Sequence, residues 1–413
     1  MDAASFQPTA PGVLVESVGY EHRIENGFPL QVPVKLRAFV PRPLPPPLSA
    51  AELGTLVADL MAAQQAMLRL EGFARALPSP TTFFGPARRR EVIYSSKIEN
   101  TFATAREVAL VETTQKGARG DALDVFASQR AFEHGVGSPL PMCLRLMREM
   151  HAELMKFSDP RKTSPGEWRD IQVCIGDERR GLAEARFVPP PPGEHLAACL
   201  GALEDFLRPP GASARPRGEL LVEIAMVHYQ FECIHPFKDG NGRLGRLLIC
   251  LWGYKIGALE FPLPFISRYL ERRREEYYNL LLRVSTHGDW TEWIRFFCHA
   301  VAAECAADLH RAQALAAYRQ RMVDGVTAKR TSVLTLRLID LLFEKPAVTV
   351  SEATRRLGVT PPSAQAHIDK LAEAGFVREA TGSEYGRVWL AEELLTMIDS
   401  DELPLPGTGG TEP

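Results

Sequence analysis

The run Ile234-His235-Pro236-Phe237-Lys238-Asp239-Gly240-Asn241-Gly242-Arg243-Leu244-Gly245-Arg246 gathers the chemically capable residues of this chain into one short stretch. Gly240 and Gly242 allow positive φ angles and a close backbone approach to a ligand. The loop feeds a helix N-terminus, where N–H groups ahead of the first intrahelical bond and the helix dipole favour an anion. Arg243 and Arg246 are three residues apart, so on the first helical turn both are placed to act as forked donors to phosphate oxygens, which points to a polyphosphate. Asp239 offers a hard oxygen of the kind that holds Mg2+ alongside phosphates and water. His235, followed by Pro236, titrates near neutrality and can take a proton from an attacking hydroxyl. Base, metal ligand and phosphate cradle therefore fall within one run.

Two core helices must flank that loop. Gly218 to Phe231 reads as the first, and the second begins near Gly242 and continues through Leu247, Leu248, Ile249 and Leu251. Upstream, Leu53, Leu56, Val57, Leu60 and Met61 follow the i, i+3, i+4, i+7, i+8 stripe of an amphipathic helix, so order is expected to begin near Ser49. Further helices are predicted over 88–100, 106–134, 139–157, 194–207, 269–285 and 290–320, with Gly288-Asp289 as a cap for the last. One segment departs from this pattern: between Ile171 and Pro189 two β-prone runs flank a polar, Gly-containing centre, the mark of a short surface hairpin that Pro189 to Pro192 terminate. Residues 1–49 end in PRPLPPPLS and read as an extended leader without helix or sheet.

After a polar connection from Val323 to Arg330 the pattern changes. Helices are predicted over 331–344, 350–357 and 361–375, followed by a β-ribbon from Val377 to Leu390, which together suggest a winged helix-turn-helix. Ser363, Gln365, His367 and Lys370 are expected to be available on its second helix for a DNA groove. Residues 330–399 carry eight Lys and Arg against ten Asp and Glu, a poor footprint for phosphate contact, so a protein-interaction role is favoured over DNA binding. The local pair Arg355-Arg356 keeps DNA binding open. The tail from residue 400 to 413, rich in Gly and Pro, is expected to be disordered.

The whole chain has 413 residues, 45% apolar and 24% charged, with net charge −3, which excludes a rod, a largely disordered chain and a globally basic nucleic-acid binder. Its seven cysteines are scattered without C-x-x-C spacing, so neither a disulfide framework nor a zinc site is signalled, and a reducing cytoplasm is expected. No apolar run approaches the roughly 18 residues of a membrane span, and the N-terminus lacks signal-peptide features.

Every fixed position of H-P-F-x-D-G-N-G-R-x-x-R is present at 235–246, and the run resembles the signature of the Fic family. PGEWRDIQVCIG followed by ARFVPPPP is similar to that family's hairpin region. Tyr277-Tyr278 and Asp289-Trp290-Thr291-Glu292-Trp293 resemble the segment after the motif, so the likeness spans about residues 50–310. It implies a mainly α fold: a Fic-type helical core with a short β-hairpin flap, plus the C-terminal winged helix-turn-helix. The implied domains are a helical region at 50–135, a catalytic domain at 136–322 and the winged helix at 330–399. The implied activity is Mg2+-dependent transfer of AMP from ATP to a Tyr, Ser or Thr hydroxyl of a target protein or of the enzyme itself. By that resemblance His235 is the base and Asp239 holds the metal. The ATP site comprises Glu232, Gly240, Asn241, Gly242, Arg243, Leu244, Gly245, Arg246 and Tyr278, and the 172–187 flap pairs with an extended target segment.

Ser95-Ser96-Lys97-Ile98-Glu99-Asn100 resembles the family's inhibitory motif, [S/T]-x-x-x-E-[G/N], with Ser95, Glu99 and Asn100 at its fixed positions. Glu99 is suited to a bidentate pair with Arg246, which would take the guanidinium away from the γ-phosphate and leave the α-phosphate misaligned. A homodimer masking the inhibitory helix is compatible with this reading. Two other readings stand beside it: a DNA-binding regulator whose Fic-like domain senses a nucleotide, and a Fic enzyme that removes AMP, with Glu99 positioning a water.

Overall fold

The computed structural model describes residues 3–25, 28–114, 120–176, 182–207, 217–327, 332–382 and 386–401. The fold is mainly α, and the chain divides into two compact units, residues 1–65 with 130–302 and residues 66–129 with 303–413.

The first unit is organised around the helices Arg217–Ile234 and Asn241–Lys255, which pack against each other. Their apolar residues, among them Leu221, Ala225, Phe231, Leu244, Leu248 and Leu251, are buried. Burial of each such Leu or Phe side chain contributes about 1.5–3 kcal/mol. Gly245 permits the close approach: a Cβ there would stand 2.2 Å from Glu232 Oε1 and 3.0 Å from the Phe231 ring. The Leu144–Leu154 helix adds Leu146, Met147 and Met150 to this core, and the Glu194–Leu207 helix covers the other side of Arg217–Ile234. Trp293, at the start of the long Trp290–Thr327 helix, is buried and donates its indole N–H to the Ala225 carbonyl at 2.9 Å.

The extended leader expected at 1–49 is instead largely sheet. Strands Gly12–Glu25 and Phe28–Pro41 pair antiparallel over their full length, from Gly12 opposite Pro41 to Glu25 opposite Phe28. A two-stranded ribbon leaves half of the N–H groups on each strand facing outward, so Pro29, Pro33 and Pro41 are tolerated there. One face of the ribbon, with Leu36 and Ala38, closes over Ala185 and Val188 of the flap region. This long-range burial, invisible to local propensity, is what makes the segment sheet.

The flap itself is less regular than the expected hairpin. Ile175 and Phe187 form a single antiparallel bridge, Leu182–Glu184 is a short 3₁₀ turn, and residues 177–181 lie outside the described residues. Carbonyls that a ladder would use are taken elsewhere: Phe39 N–H donates to Val188, and the Gln172 amide donates to Val173 and Pro189. Its second arm, Ala185 to Pro190, is mostly buried rather than at the surface.

In the second unit the Thr81–Ile98 helix packs against Val333–Glu344 and Glu392–Asp399. Arg90 donates to the carbonyls of Ile398 and Ser400 and pairs with Asp401 at 3.0 Å, and Tyr94 donates to the same carboxylate at 2.6 Å. The Asp399 carboxylate accepts from the N–H of Ala105, the first residue of the Ala105–Thr114 helix. The winged helix-turn-helix is present, with helices Val333–Glu344, Val350–Leu357 and Pro361–Glu373 and a three-stranded sheet in which Val388–Leu390 lies between Ala347–Thr349 and Arg378–Glu379.

Several sequence expectations change. Leu56, Ala63, Met67, Leu70 and Ala74 are the buried line of the Val57–Ala76 region, whereas Leu53, Val57 and Met61 are exposed. The expected helix over 106–134 is two helices, Ala105–Thr114 and Asp121–Gly137, and residues 115–119 are outside the described set. The connection predicted from Val323 is helical to Thr327, because Met322 and Val326 are buried. The helix Glu392–Asp399 was not foreseen. His367 is buried and bonded to Thr335 at 2.9 Å, so it is not available to a groove. Of the tail, only Ser400 and Asp401 are described.

Gly85 brings two helices of this unit together: a Cβ at that position would stand 2.1 Å from the Phe343 carbonyl oxygen. Backbone cannot yield as a flexible side chain can. Gly85→Ala is therefore expected to destabilise the unit by about 1–3 kcal/mol. A denaturant titration should show an earlier midpoint, and an unchanged midpoint would mean that the two helices separate freely.

Candidate active site

The signature loop spans His235 to Gly240 between the two core helices. Asn241 shapes it: buried, it accepts the Phe237 N–H through Oδ1 and donates to the Phe237 carbonyl through Nδ2, each at 2.9 Å. Gly240, at φ +76, is the N-cap of Asn241–Lys255, and a Cβ there would strike Met155 Sδ at 2.8 Å. The first bond of that helix runs from Leu244 N–H to Gly240 O, so the N–H groups of Asn241, Gly242 and Arg243 lie ahead of it at the positive end of the dipole.

His235 is half-buried and holds a left-handed conformation, φ +49, unusual for a residue with a Cβ. Its Nδ1 lies 3.2 Å from the Glu232 carbonyl, which can only accept, so Nδ1 carries the proton and Nε2 is the basic nitrogen. Asp239 is exposed, with 60% of its side chain open to solvent, and its Oδ1 accepts the Gly240 N–H. Arg243 is nearly buried: its Nη2 lies 3.8 Å from both Asp239 Oδ1 and Met155 Sδ. Arg246 is buried beside His228. Tyr278 is half-buried, with the guanidinium groups of Arg186 and Arg274 5.7 and 5.8 Å from its ring centre, while its neighbour Tyr277 is core. Arg186, from the flap, also donates to Asn279 at 2.7 Å. Glu232, Leu244 and Gly245 meet where the two core helices touch.

The structure thus gathers Glu232, His235, Asp239 to Arg246 and Tyr278 in the first unit. Ser95, Glu99 and Asn100 belong to the second. There Ser95 is buried, Glu99 is the C-cap of Thr81–Ile98, and Asn100 adopts φ +58, a conformation that Asn tolerates better than most residues.

Three buried residues that the sequence did not single out brace the loop. His151 stacks on Phe237 at 3.7 Å between ring centres, accepts the Gly166 N–H at Nδ1 and donates from Nε2 to the Asp239 carbonyl at 3.0 Å. His228 lies between the Gly245 carbonyl, 3.1 Å from Nδ1, and the Tyr277 hydroxyl, 2.8 Å from Nε2. Arg169 is directed at backbone carbonyls around His235, and next to it Asp170 pairs with Lys238 of the loop at 2.8 Å. No local pattern marks these residues; each sits where a later segment of chain supplies its partner.

Residues 141–252 match the Fic/DOC family, residues 57–137 match the Fic/DOC family N-terminal region, and residues 334–380 match a helix-turn-helix domain. The chain therefore carries a Fic-type helical core, its N-terminal companion and a C-terminal helix-turn-helix. Among similar proteins, the protein adenylyltransferase Fic of Drosophila willistoni is 26% identical over 229 residues, covering 54% of this chain and 41% of the relative. That of Nematostella vectensis is 35% identical over 151 residues, covering 36% and 30%. The chain spans less than half the length of these curated relatives. A crystal structure of a Fic family protein from Desulfovibrio desulfuricans G20 is similar at a TM-score of 0.49 and 21% identity, covering 84% of this chain and 98% of that one. Fic-1 (aa134–508) from C. elegans is similar at 0.45 and 22%, covering 63% and 74%.

Burial pushes His151 down to about 4 and His228 down to about 3. The unfolded chain binds these protons below about pH 6.5, whereas the folded unit resists them until those lower values. The stability they contribute is thus complete above about pH 6.5 and is lost as pH falls toward 3–4. Melting temperatures taken from pH 7 to pH 4.5 should decline, and His228→Gln should flatten the decline. An equal slope in the variant would show that His228 is not held neutral.

Proposed function

We propose that this protein is an adenylyltransferase that moves AMP from ATP to a Tyr, Ser or Thr hydroxyl of a target protein and of itself. The observation that carries the reading is the orientation of His235, protonated at Nδ1 and basic at Nε2, beside a glycine loop that opens onto a helix N-terminus. His235 Nε2 takes the proton of the target hydroxyl as its oxygen attacks the α-phosphorus. The bond from that phosphorus to the α,β-bridging oxygen breaks, and pyrophosphate leaves. The helix N-terminus with Gly240, Gly242, Arg243 and Arg246 neutralises the phosphates, and Tyr278 flanks the nucleotide. Asp239 fits a Mg2+ ion: its carboxylate is the exposed hard-oxygen donor at the loop, and a single carboxylate with phosphates and water is an ordinary site for this ion. The ion would screen the charge of the triphosphate. The first flap arm, with Ile171 half exposed, offers an extended target segment an edge to pair with.

Glu99 is the proposed brake. What supports it is a complete [S/T]-x-x-x-E-[G/N] run whose last residue takes the positive φ that a Gly or Asn allows. For the C-terminal domain a protein-interaction role is favoured over DNA. Arg355 pairs with Glu352 and Arg356 with Glu344, so each member of the local basic pair has an acidic neighbour that offsets part of its charge.

Transfer of label from [α-³²P]ATP with Mg2+ tests the reading. Wild type should label weakly, Glu99→Gly on the order of 10²-fold more, and His235→Ala not at all. Equal labelling of wild type and Glu99→Gly would remove the brake. Failure of every variant to label, with cell extract as target, would remove the transferase reading.

A further inference from the structure

Arg169 is almost fully buried, and its described partners are all backbone carbonyls. Nε donates to His235 O at 2.8 Å. Nη1 donates to Ile171 O at 3.1 Å, and Nη2 to Pro190 O at 2.5 Å and to Ile234 O at 3.4 Å. Its own backbone N–H donates to Pro236 O at 2.9 Å. One residue therefore holds three consecutive carbonyls at the turn, those of Ile234 and His235 through its side chain and that of Pro236 through its main chain. The same guanidinium reaches both flap arms, Ile171 before the Ile175–Phe187 bridge and Pro190 after it.

Those contacts converge on a strained peptide. His235 keeps φ +49, and such a conformation persists only where its surroundings over-determine it. The orientation of its imidazole follows from that backbone. Farther along the loop, Phe237 has a separate brace in its pair of bonds with Asn241. A planar fork with five donors is suited to carbonyls lying in several directions, and a lysine ammonium on a flexible stem does not reproduce it.

We propose that Arg169 is a positioning residue: it fixes the orientation of the His235 imidazole and ties it to both arms of the flap, so that base and docking edge are set by one guanidinium. The proposal rests on the adenylyltransfer reading for its kinetic consequence, not for its structural one. With base and target misplaced by fractions of an ångström, the chemical step should slow while ATP binding is spared.

The experiment compares wild type, Arg169→Ala, Arg169→Lys and His235→Ala. In Arg169→Ala the kcat for AMP transfer should fall on the order of 10²-fold with KM for ATP within about threefold. Millimolar guanidinium ion should restore part of it, but none in His235→Ala. Arg169→Lys, which keeps the charge, should show a smaller loss and no response to guanidinium, and it decides the matter should the alanine variant not fold. Independently of activity, the amide of Phe187 should exchange faster in Arg169→Ala while that of Leu244 is unchanged, and the ¹⁵N signals of the His235 ring should lose the Nδ1–H pattern. Wild-type kcat in both variants, a parallel loss of ATP affinity, or a uniform rise in exchange would overturn the proposal and leave Arg169 a purely structural residue. If wild type and Glu99→Gly transfer no AMP at all, the transferase reading fails by itself, and the exchange and ring signals still decide the role of Arg169.

Discussion

The amide of Asn241 closes on the backbone of Phe237, taking its N–H and giving to its carbonyl, and the shape of the signature loop depends on that pair of bonds. The loop must reverse the chain between two buried helices with no strand to satisfy its peptide groups. A side-chain amide imitates the missing strand. Losing it would leave two buried backbone groups unmatched, each at a penalty of about 1–3 kcal/mol. With Phe237 fixed, His151 can stack on it and hold the Asp239 carbonyl, and Gly240 can make the tight left-handed cap against Met155. His235 is then held at one end of the turn and the helix N-terminus at the other.

The same accounting of backbone groups explains the flap. Its carbonyls are used by Arg169, by the Gln172 amide and by the Phe39 N–H of the N-terminal ribbon, and among the described residues one bridge, Ile175 to Phe187, joins its arms. The ribbon seals the second arm by apolar contact through Leu36 and Ala38, and its Ser17 hydroxyl donates to Gln172 of the first arm at 2.6 Å. A segment that would be a slack hairpin alone becomes one buried arm and one half-buried arm.

Legibility in the sequence followed the range of the interactions. The loop and its two helices are local, and the motif, the glycines and the 3.6-residue apolar spacing marked them without a structure. The ribbon at 12–41 was missed because its reason for being sheet lies about 150 residues away, at Ala185 and Val188. Proline content argued against sheet there, yet a ribbon with two open edges accepts proline on its outward positions. Asn241 was legible as part of the loop but not as its brace, and Arg169, His151 and His228 were silent because burial, not spacing, gives them their partners. In the helix-turn-helix the three helices were visible, whereas the helix Glu392–Asp399, beyond the expected β-ribbon, was not.

Charge in the second unit is arranged around one buried carboxylate. Arg89 and Glu112 form a buried pair at 2.7 Å, Gln129 donates to the same carboxylate at 3.2 Å, and Lys345 approaches it at 3.6 Å while bonding Glu352 at 3.2 Å. Burial alone would raise the Glu112 carboxyl, but the charges of Arg89 and Lys345 outweigh it and hold the group below its usual range. Such a network adds little net stability over apolar packing, yet removing Arg89 or Glu112 leaves the other charge buried without its partner. It therefore fixes one arrangement of the helices Thr81–Ile98 and Ala105–Thr114 with the helix-turn-helix rather than many. Nearer the surface, Arg319 pairs with Asp340 and the exposed Arg321 with Glu393.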